Sequence, residues 1–225
     1  MIKFENVSLR YPYDEFALFK NLTFTLQKGE NTVLCDTQSG KTSLCKLLVG
    51  EVSPTGGKIF FDNEEISRIA HSELGILYLS DNSPFFENKS ILYNVGYPLK
   101  VRKVNVAERK AIIDEAVLRT GLDNLERKVK TLDSNTRKTV ALCRGLTVKR
   151  QVVLYDDFFD NTDGIERTLG LFGDVTSVII TSNTELARGN TVVLDGGNTV
   201  YCGDAENARA VVENLCWLYG TASTS

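Results

Sequence analysis

A short apolar run, Asn31–Cys35, leads into a polar stretch and then into Gly40-Lys41-Thr42, which heads a segment, Lys41–Val49, of helical periodicity. Strand, loop, helix is the setting in which backbone N–H groups at a helix start bind phosphate oxygens. A lysine there supplies charge, and the hydroxyl after it can hold magnesium. The usual pattern is G-x-x-x-x-G-K-[ST]; here Cys35 stands at its first glycine and Gln38 inside the loop, so the strict motif fails. Taken alone, Gly-Lys-Thr also suits an ordinary helix start with Lys41 as a solvated lysine, and that reading stays open.

The rest of the chain says what surrounds this unit. Ile2–Phe4, Leu22–Leu26 and Lys58–Phe61 read as short strands between Gly and Asp/Asn turns, and Leu74–Leu79 as another. The middle is helical. Asn105 and Glu108 make a capping box before Ala107, Ala111, Ile112 and Leu118, ending at Gly121, and a second helix is expected over Ser134–Leu146. Strands then return at Val152–Tyr155, Val178–Ile180 and Val192–Leu194, turning at Gly196-Gly197 into Val200–Cys202. Asp204 caps a last helix bearing Ala208, Val211, Val212, Leu215, Trp217 and Leu218, and Thr221–Ser225 reads as a disordered tail. Apolar runs without alternation predict a parallel sheet covered on both faces, interrupted by an all-helical insert.

Composition narrows the partners. The chain has 225 residues and a net charge of −3, which removes nucleic acid as a default partner. Its 5 cysteines are scattered with no CxxC spacing, so neither a disulfide scaffold nor a zinc site is indicated. Met1 runs straight into Ile2-Lys3-Phe4-Glu5, and no segment is apolar enough to span a bilayer. The expectation is a cytoplasmic protein, peripheral on the inner face of a membrane through a partner. The single histidine, His71, reads as a surface residue rather than a metal ligand.

Further fragments stand in a telling order. Phe4-Glu5-Asn6-Val7-Ser8-Leu9-Arg10-Tyr11 comes first, then Cys35–Ser43, then Tyr78-Leu79-Ser80-Asp81 with Phe85-Phe86 and Ser90–Val95. Leu132-Asp133-Ser134-Asn135-Thr136-Arg137 with its following helix precedes Val152–Asp157, Asp163, Asn183 and Leu194-Asp195-Gly196-Gly197. From about Ile2 to Asp204 this order resembles the ATP-binding-cassette (ABC) family of transporter nucleotide-binding domains. The resemblance implies an α/β fold: a P-loop NTPase core of the ABC ATPase kind, an antiparallel β subdomain and an inserted α-helical subdomain at roughly 83–148, together one domain over 1–220. It implies ATP and Mg2+ as cofactors. Tyr11 would stack on adenine, Cys35, Gln38, Ser39, Gly40, Lys41, Thr42 and Ser43 would line the phosphates, and Thr42 with Asp156 would hold magnesium. Partners would be an integral membrane permease and another ABC subunit, in a homo- or heterodimer.

Several positions depart from the family pattern. Asp157 stands where a catalytic glutamate is usual and is one methylene shorter; Asn183 replaces a histidine and does not titrate; Asp81 replaces a glutamine. In the signature segment, Asp133 would bring negative charge toward a triphosphate, although Asp133 and Ser134 are also favoured helix caps. Asn135 stands for a glycine, beside Thr136. The stretch from Asp163 to Asn183 is short for the family, trimming its helix to about Gly164–Leu171, with Phe158-Phe159 filling the space. Pro84-Phe85-Phe86 lies where the family docks its membrane partner, and aromatics there also suit a core. The expectation is an ATP-binding subunit with little or no hydrolysis, regulatory or structural in role. A slow but active ATPase and an interaction module that has abandoned nucleotide are the alternatives.

Overall fold

The computed structural model describes residues 1–36, 40–71 and 73–215. In chain order the strands and helices are β1 (Ile2–Leu9), β2 (Phe19–Leu26), β3 (Glu30–Cys35), α1 (Lys41–Leu48), β4 (Gly56–Phe61), β5 (Glu64–Glu65) and β6 (Ile76–Ser80). Then come α2 (Ile91–Val101), α3 (Val106–Thr120), α4 (Ser134–Leu146), β7 (Val152–Asp156), α5 (Ile165–Gly170), β8 (Thr176–Thr181), β9 (Asn190–Asp195), β10 (Asn198–Asp204) and α6 (Ala205–Asn214). They divide into two compact units. One comprises Met1–Tyr78, Gln151–Thr162 and the chain from Asp174 on; the other comprises Leu79–Arg150 and Asp163–Gly173.

The first unit carries two sheets, one of four strands in the order β2-β1-β4-β5 and one in the order β10-β9-β3-β8-β7-β6. In the larger sheet β3 runs parallel to β8 and β9, β7 parallel to β8, and β10 antiparallel to β9. One apolar cluster joins Phe4, Leu22 and Ile59 of the small sheet to Val33, Leu154, Val178 and Val192 of the large one, with Leu44 and Leu48 of α1. Leu34 and Val193 face the other way, against Ala208 and Val212 of α6. Burial on both faces explains why β3 and β8 read as unbroken apolar runs.

The register of β3 depends on a polar side chain. Asn31 is fully buried. Its Oδ1 accepts from the Gln27 N–H at 2.8 Å and from Asn190 Nδ2 at 3.2 Å, while its Nδ2 donates to the carbonyls of Gln27 (2.8 Å), Gly29 (3.2 Å) and Ser177 (3.4 Å).

The second unit is helical. Ile91, Val95 and Leu99 of α2, one face at every fourth position, pack with Ile113 and Ala116 of α3 and Val140 and Cys143 of α4. Buried Asn94 accepts from the Phe86 N–H at 2.8 Å and donates to the carbonyls of Phe86 and Ser90, pinning the chain that enters α2. The sequence reading passed over α2. Pro98 lies inside it and has no N–H to return to the preceding turn, so local propensity argues against a helix there. Burial of the Ile91–Val95–Leu99 stripe overrides that. Phe85 packs on this core beneath the guanidinium groups of Arg144 (4.6 Å) and Arg137 (5.2 Å), whereas Phe86 stays 42% exposed.

Asn105 caps α3: its Oδ1 accepts from the Glu108 N–H at 2.9 Å, and its Nδ2 donates to the Glu108 carboxylate at 2.9 Å. Gly121 ends the helix in the left-handed conformation. Replacing Asn105 by alanine is expected to cost about 1 kcal/mol, read as a lowered urea midpoint at constant slope. In the first unit, Phe158 is buried and Phe159 half-buried, both against the ring of Tyr155 at 5.8 and 5.1 Å. Of the last helix, Ala205–Asn214 is described with Asp204 as its cap; Cys216, Trp217, Leu218 and the tail Thr221–Ser225 lie outside the described residues.

Candidate functional site

Helix α1 begins without a side-chain cap. Its N-terminal residue Gly40 has φ +85°, and a Cβ there would come within 2.8 Å of Leu18 Cδ2. Glycine takes this left-handed turn without strain and leaves Leu18 its room. The first intrahelical bond joins the Leu44 N–H to the Gly40 carbonyl at 2.9 Å, so the N–H groups of Lys41, Thr42 and Ser43 are the first-turn donors an α-helix leaves unused by its own ladder. Such a start, carrying the positive end of the helix dipole, suits an anion.

Beside it, β7 delivers two successive carboxylates. Asp156 is buried, and its Oδ2 accepts from the Thr42 hydroxyl at 3.0 Å and from the Tyr78 hydroxyl at 2.8 Å. A threonine hydroxyl next to a carboxylate is an oxygen set of the type magnesium takes. Asp157 leaves the strand with φ +44°, its N–H held by the Ile180 carbonyl at 3.0 Å. That turn brings its carboxylate to the Lys41 ammonium at 2.7 Å, with the lysine side chain 9% exposed and the aspartate 50%. Lys41 also donates to the Ser182 hydroxyl at 3.4 Å. Behind the pair, burial first and the Asp156 charge second push the Cys45 thiol well above its ordinary range, so it stays neutral. Uncapped donors, a charged lysine and the Thr42–Asp156 oxygens fit a nucleoside triphosphate with magnesium.

The other residues singled out from the sequence fall as follows. Tyr11 is half-buried against the main core, and its hydroxyl donates to Ser43 Oγ at 3.1 Å. Cys35 is buried in the same cluster as Leu44 and Cys45, so its side chain packs in the core at the entry to the phosphate loop. Gln38 and Ser39 lie outside the described residues. Asn183 caps a short 3-10 turn, Thr184–Leu186, through an Oδ1 that accepts from the Glu185 N–H at 2.9 Å. In the helical unit, Asp81 pairs with Lys138 at 2.9 Å. Asp133 is the cap of α4, accepting from the Thr136 N–H at 2.9 Å and from its hydroxyl at 2.7 Å, and these bonds hold its carboxyl below the usual range. Ser134 and Asn135 follow, both exposed. Tyr78 and Ser182 were not anticipated: a tyrosine in an apolar strand reads as core, and a serine next to Asn183 carries no signal beyond adjacency.

Residues 19–160 match the family model described as ABC transporter. A molybdate/tungstate import ATP-binding protein of Thermococcus kodakarensis (strain ATCC BAA-918 / JCM 12380 / KOD1) is 35% identical over 153 residues, 67% of this chain and 46% of that protein. An Fe(3+) ions import ATP-binding protein of Escherichia coli (strain K12) is 30% identical over 164 residues, 72% of this chain and 47% of that one. The match therefore spans less than half of each relative's length. Among solved structures, cbiO1 of Clostridium perfringens, part of the ABC transporter complex cbiONQ, superposes with a TM-score of 0.77 at 20% identity, covering 98% of this chain and 95% of that one. The fold, the order of the motifs and the family match agree: the chain is a nucleotide-binding domain of the ABC transporter family.

Proposed function

We propose that this domain is the ATP-binding subunit of an ABC-type complex, holding Mg-ATP weakly and hydrolysing it little or not at all. In this reading residues 1–220 act as one cassette with a helical portion at about 83–148. Gly40–Ser43, with Gln38 and Ser39 before them, receive the phosphates, and Tyr11 lies toward adenine. Thr42 and Asp156 hold magnesium, which neutralises phosphate charge.

The observation that carries the reading is the 2.7 Å ion pair between Lys41 and Asp157. In the family the residue after the magnesium aspartate orients or deprotonates the attacking water. Here that carboxylate is bound to the lysine of the phosphate loop and cannot turn to a water without giving up its partner. The neighbouring substitutions point the same way. Asn183 spends its amide oxygen on a backbone N–H, Asp81 spends its charge on Lys138, and Asp133 turns its oxygens inward on its own helix. A domain of this kind braces or regulates its complex. No helix among the described residues is long and apolar enough to cross a membrane. The partners this reading requires are a membrane permease and a second ABC subunit. The import proteins among the relatives favour an inward-moving complex.

Phosphate release from Mg-ATP by the purified chain is expected to match that of Asp156→Ala, while the unaltered chain binds Mg-ATP saturably. The double substitution Asp157→Glu with Asn183→His is expected to raise release above that background. Turnover in the unaltered chain that Asp156→Ala removes would make it a slow ATPase instead. Absence of binding up to millimolar ATP would leave a cassette kept for its surfaces.

A further inference from the structure

In the first unit β6 lies beside β7 at one edge of the larger sheet, and this brings Tyr78 next to Asp156. The Tyr78 ring packs on the main apolar core, and its hydroxyl donates to Asp156 Oδ2 at 2.8 Å. Thr42 donates to the same oxygen at 3.0 Å, from the first turn of α1. Both donors are neutral. Asp156 is only 6% exposed and makes no ion pair among the described residues, since the Lys41 ammonium goes to Asp157 instead. A buried carboxylate is tolerated when a cation or a metal answers its charge, and two hydroxyls leave that place open.

The oxygen that remains decides which cation fits. A carboxylate oxygen has two lone pairs, and on Oδ2 both are taken, one by Thr42 and one by Tyr78. No hydrogen bond reaches Oδ1 among the described residues, so Asp156 offers a cation one oxygen rather than two. Magnesium is small and octahedral, keeps several waters and is served by single carboxylate oxygens. Calcium is larger, takes more oxygen ligands and gains from a carboxylate that chelates with both. We propose, on the reading of this site as one for Mg-ATP, that Tyr78 is its metal-specificity residue: by holding Oδ2 it keeps Asp156 monodentate and so favours magnesium over calcium. Tyr78 is a positioning residue in this role, acting through Asp156 and needing no contact of its own with cation or nucleotide.

Titration of the full chain with the fluorescent N-methylanthraniloyl derivative of ATP, in magnesium and separately in calcium, tests this. The unaltered chain is expected to bind more tightly in magnesium. Tyr78→Phe keeps the ring in the core and removes only the hydroxyl, which frees a lone pair on Oδ2. The ratio of the calcium to the magnesium dissociation constant should then fall about fivefold or more, chiefly through tighter binding in calcium. A tyrosine that merely supports its strand would weaken both complexes alike and leave that ratio where it was. Equal affinity in the two cations for the unaltered chain, or an unchanged or larger ratio in Tyr78→Phe, would therefore overturn the proposal. Binding that is equally tight in EDTA would overturn it too, with no cation held, while leaving nucleotide binding intact. Absence of binding under every condition would overturn it together with the nucleotide reading.

Discussion

Mg-ATP at a hundredfold excess over its dissociation constant is expected to raise the melting temperature of the chain by about 5–10 °C, and that of Lys41→Ala not at all. A ligand at that excess stabilises the folded state by about 2.7 kcal/mol, and for a domain of this size each kcal/mol moves the midpoint by about 2–4 °C. The lysine matters because it is the one cation of α1 buried at the helix start, with its ammonium beside the carboxylates of β7. Without nucleotide the same variant should melt close to the unaltered chain. Asp157, half-exposed, regains water when its partner goes, and ion pairs of this exposure contribute little. A third variant separates the roles of the pair. Asp157→Asn frees the ammonium for phosphate and is expected to bind Mg-ATP several-fold more tightly than the unaltered chain. A thermal shift retained in Lys41→Ala would remove the phosphate loop from the binding reading.

The second large effect lies away from the site. Asn31→Leu keeps most of the side-chain volume but deletes every bond that Asn31 makes to Gln27, Gly29, Ser177 and Asn190. The buried Ser177 carbonyl and the part-buried Gln27 N–H, Gln27 carbonyl and Gly29 carbonyl then lose that partner. Each such group costs about 1–3 kcal/mol, and the variant is expected to lose about 3 kcal/mol in total. Urea unfolding would show this as a lower midpoint at unchanged slope. A loss below about 0.5 kcal/mol, the usual range of a surface substitution, would mean that water or backbone adjustment replaces the side chain. Because β3 ends just before the phosphate loop, the variant should also weaken nucleotide binding.

Much of this architecture was legible in the sequence because its signals are local. The expected helix over Ser134–Leu146 coincides with α4, and Asn105, Asp133 and Asp204 each cap the helix that follows them. A capping side chain reaches only two or three residues ahead, so its meaning travels with the sequence. The strands β3, β7, β8 and β9 were equally readable, being compact apolar runs bounded by Gly and Asp/Asn turns. The order of short motifs was enough for the family. Helix α2 was not legible, because Gly96 and Pro98 break its local pattern and only packing of the buried stripe against α3 and α4 sustains it.

What the sequence alone determined, then, is most of the strands, the helices that carry a local cap, the family and the identity of the residues at the phosphate loop and after β7. Only the tertiary structure decided what those residues do to one another. Thr42 meets Asp156 across 114 positions of chain, Tyr78 meets the same carboxylate across 78, and Asp157 turns onto Lys41 through a left-handed residue at the end of a parallel strand. Asn31 reads as the polar start of an apolar strand and turns out to tie three segments together. The reason is physical: periodicity and capping act within a turn or two of the chain, whereas the strength and direction of a charge pair or a buried hydrogen bond depend on which distant groups the sheet topology brings within 3 Å.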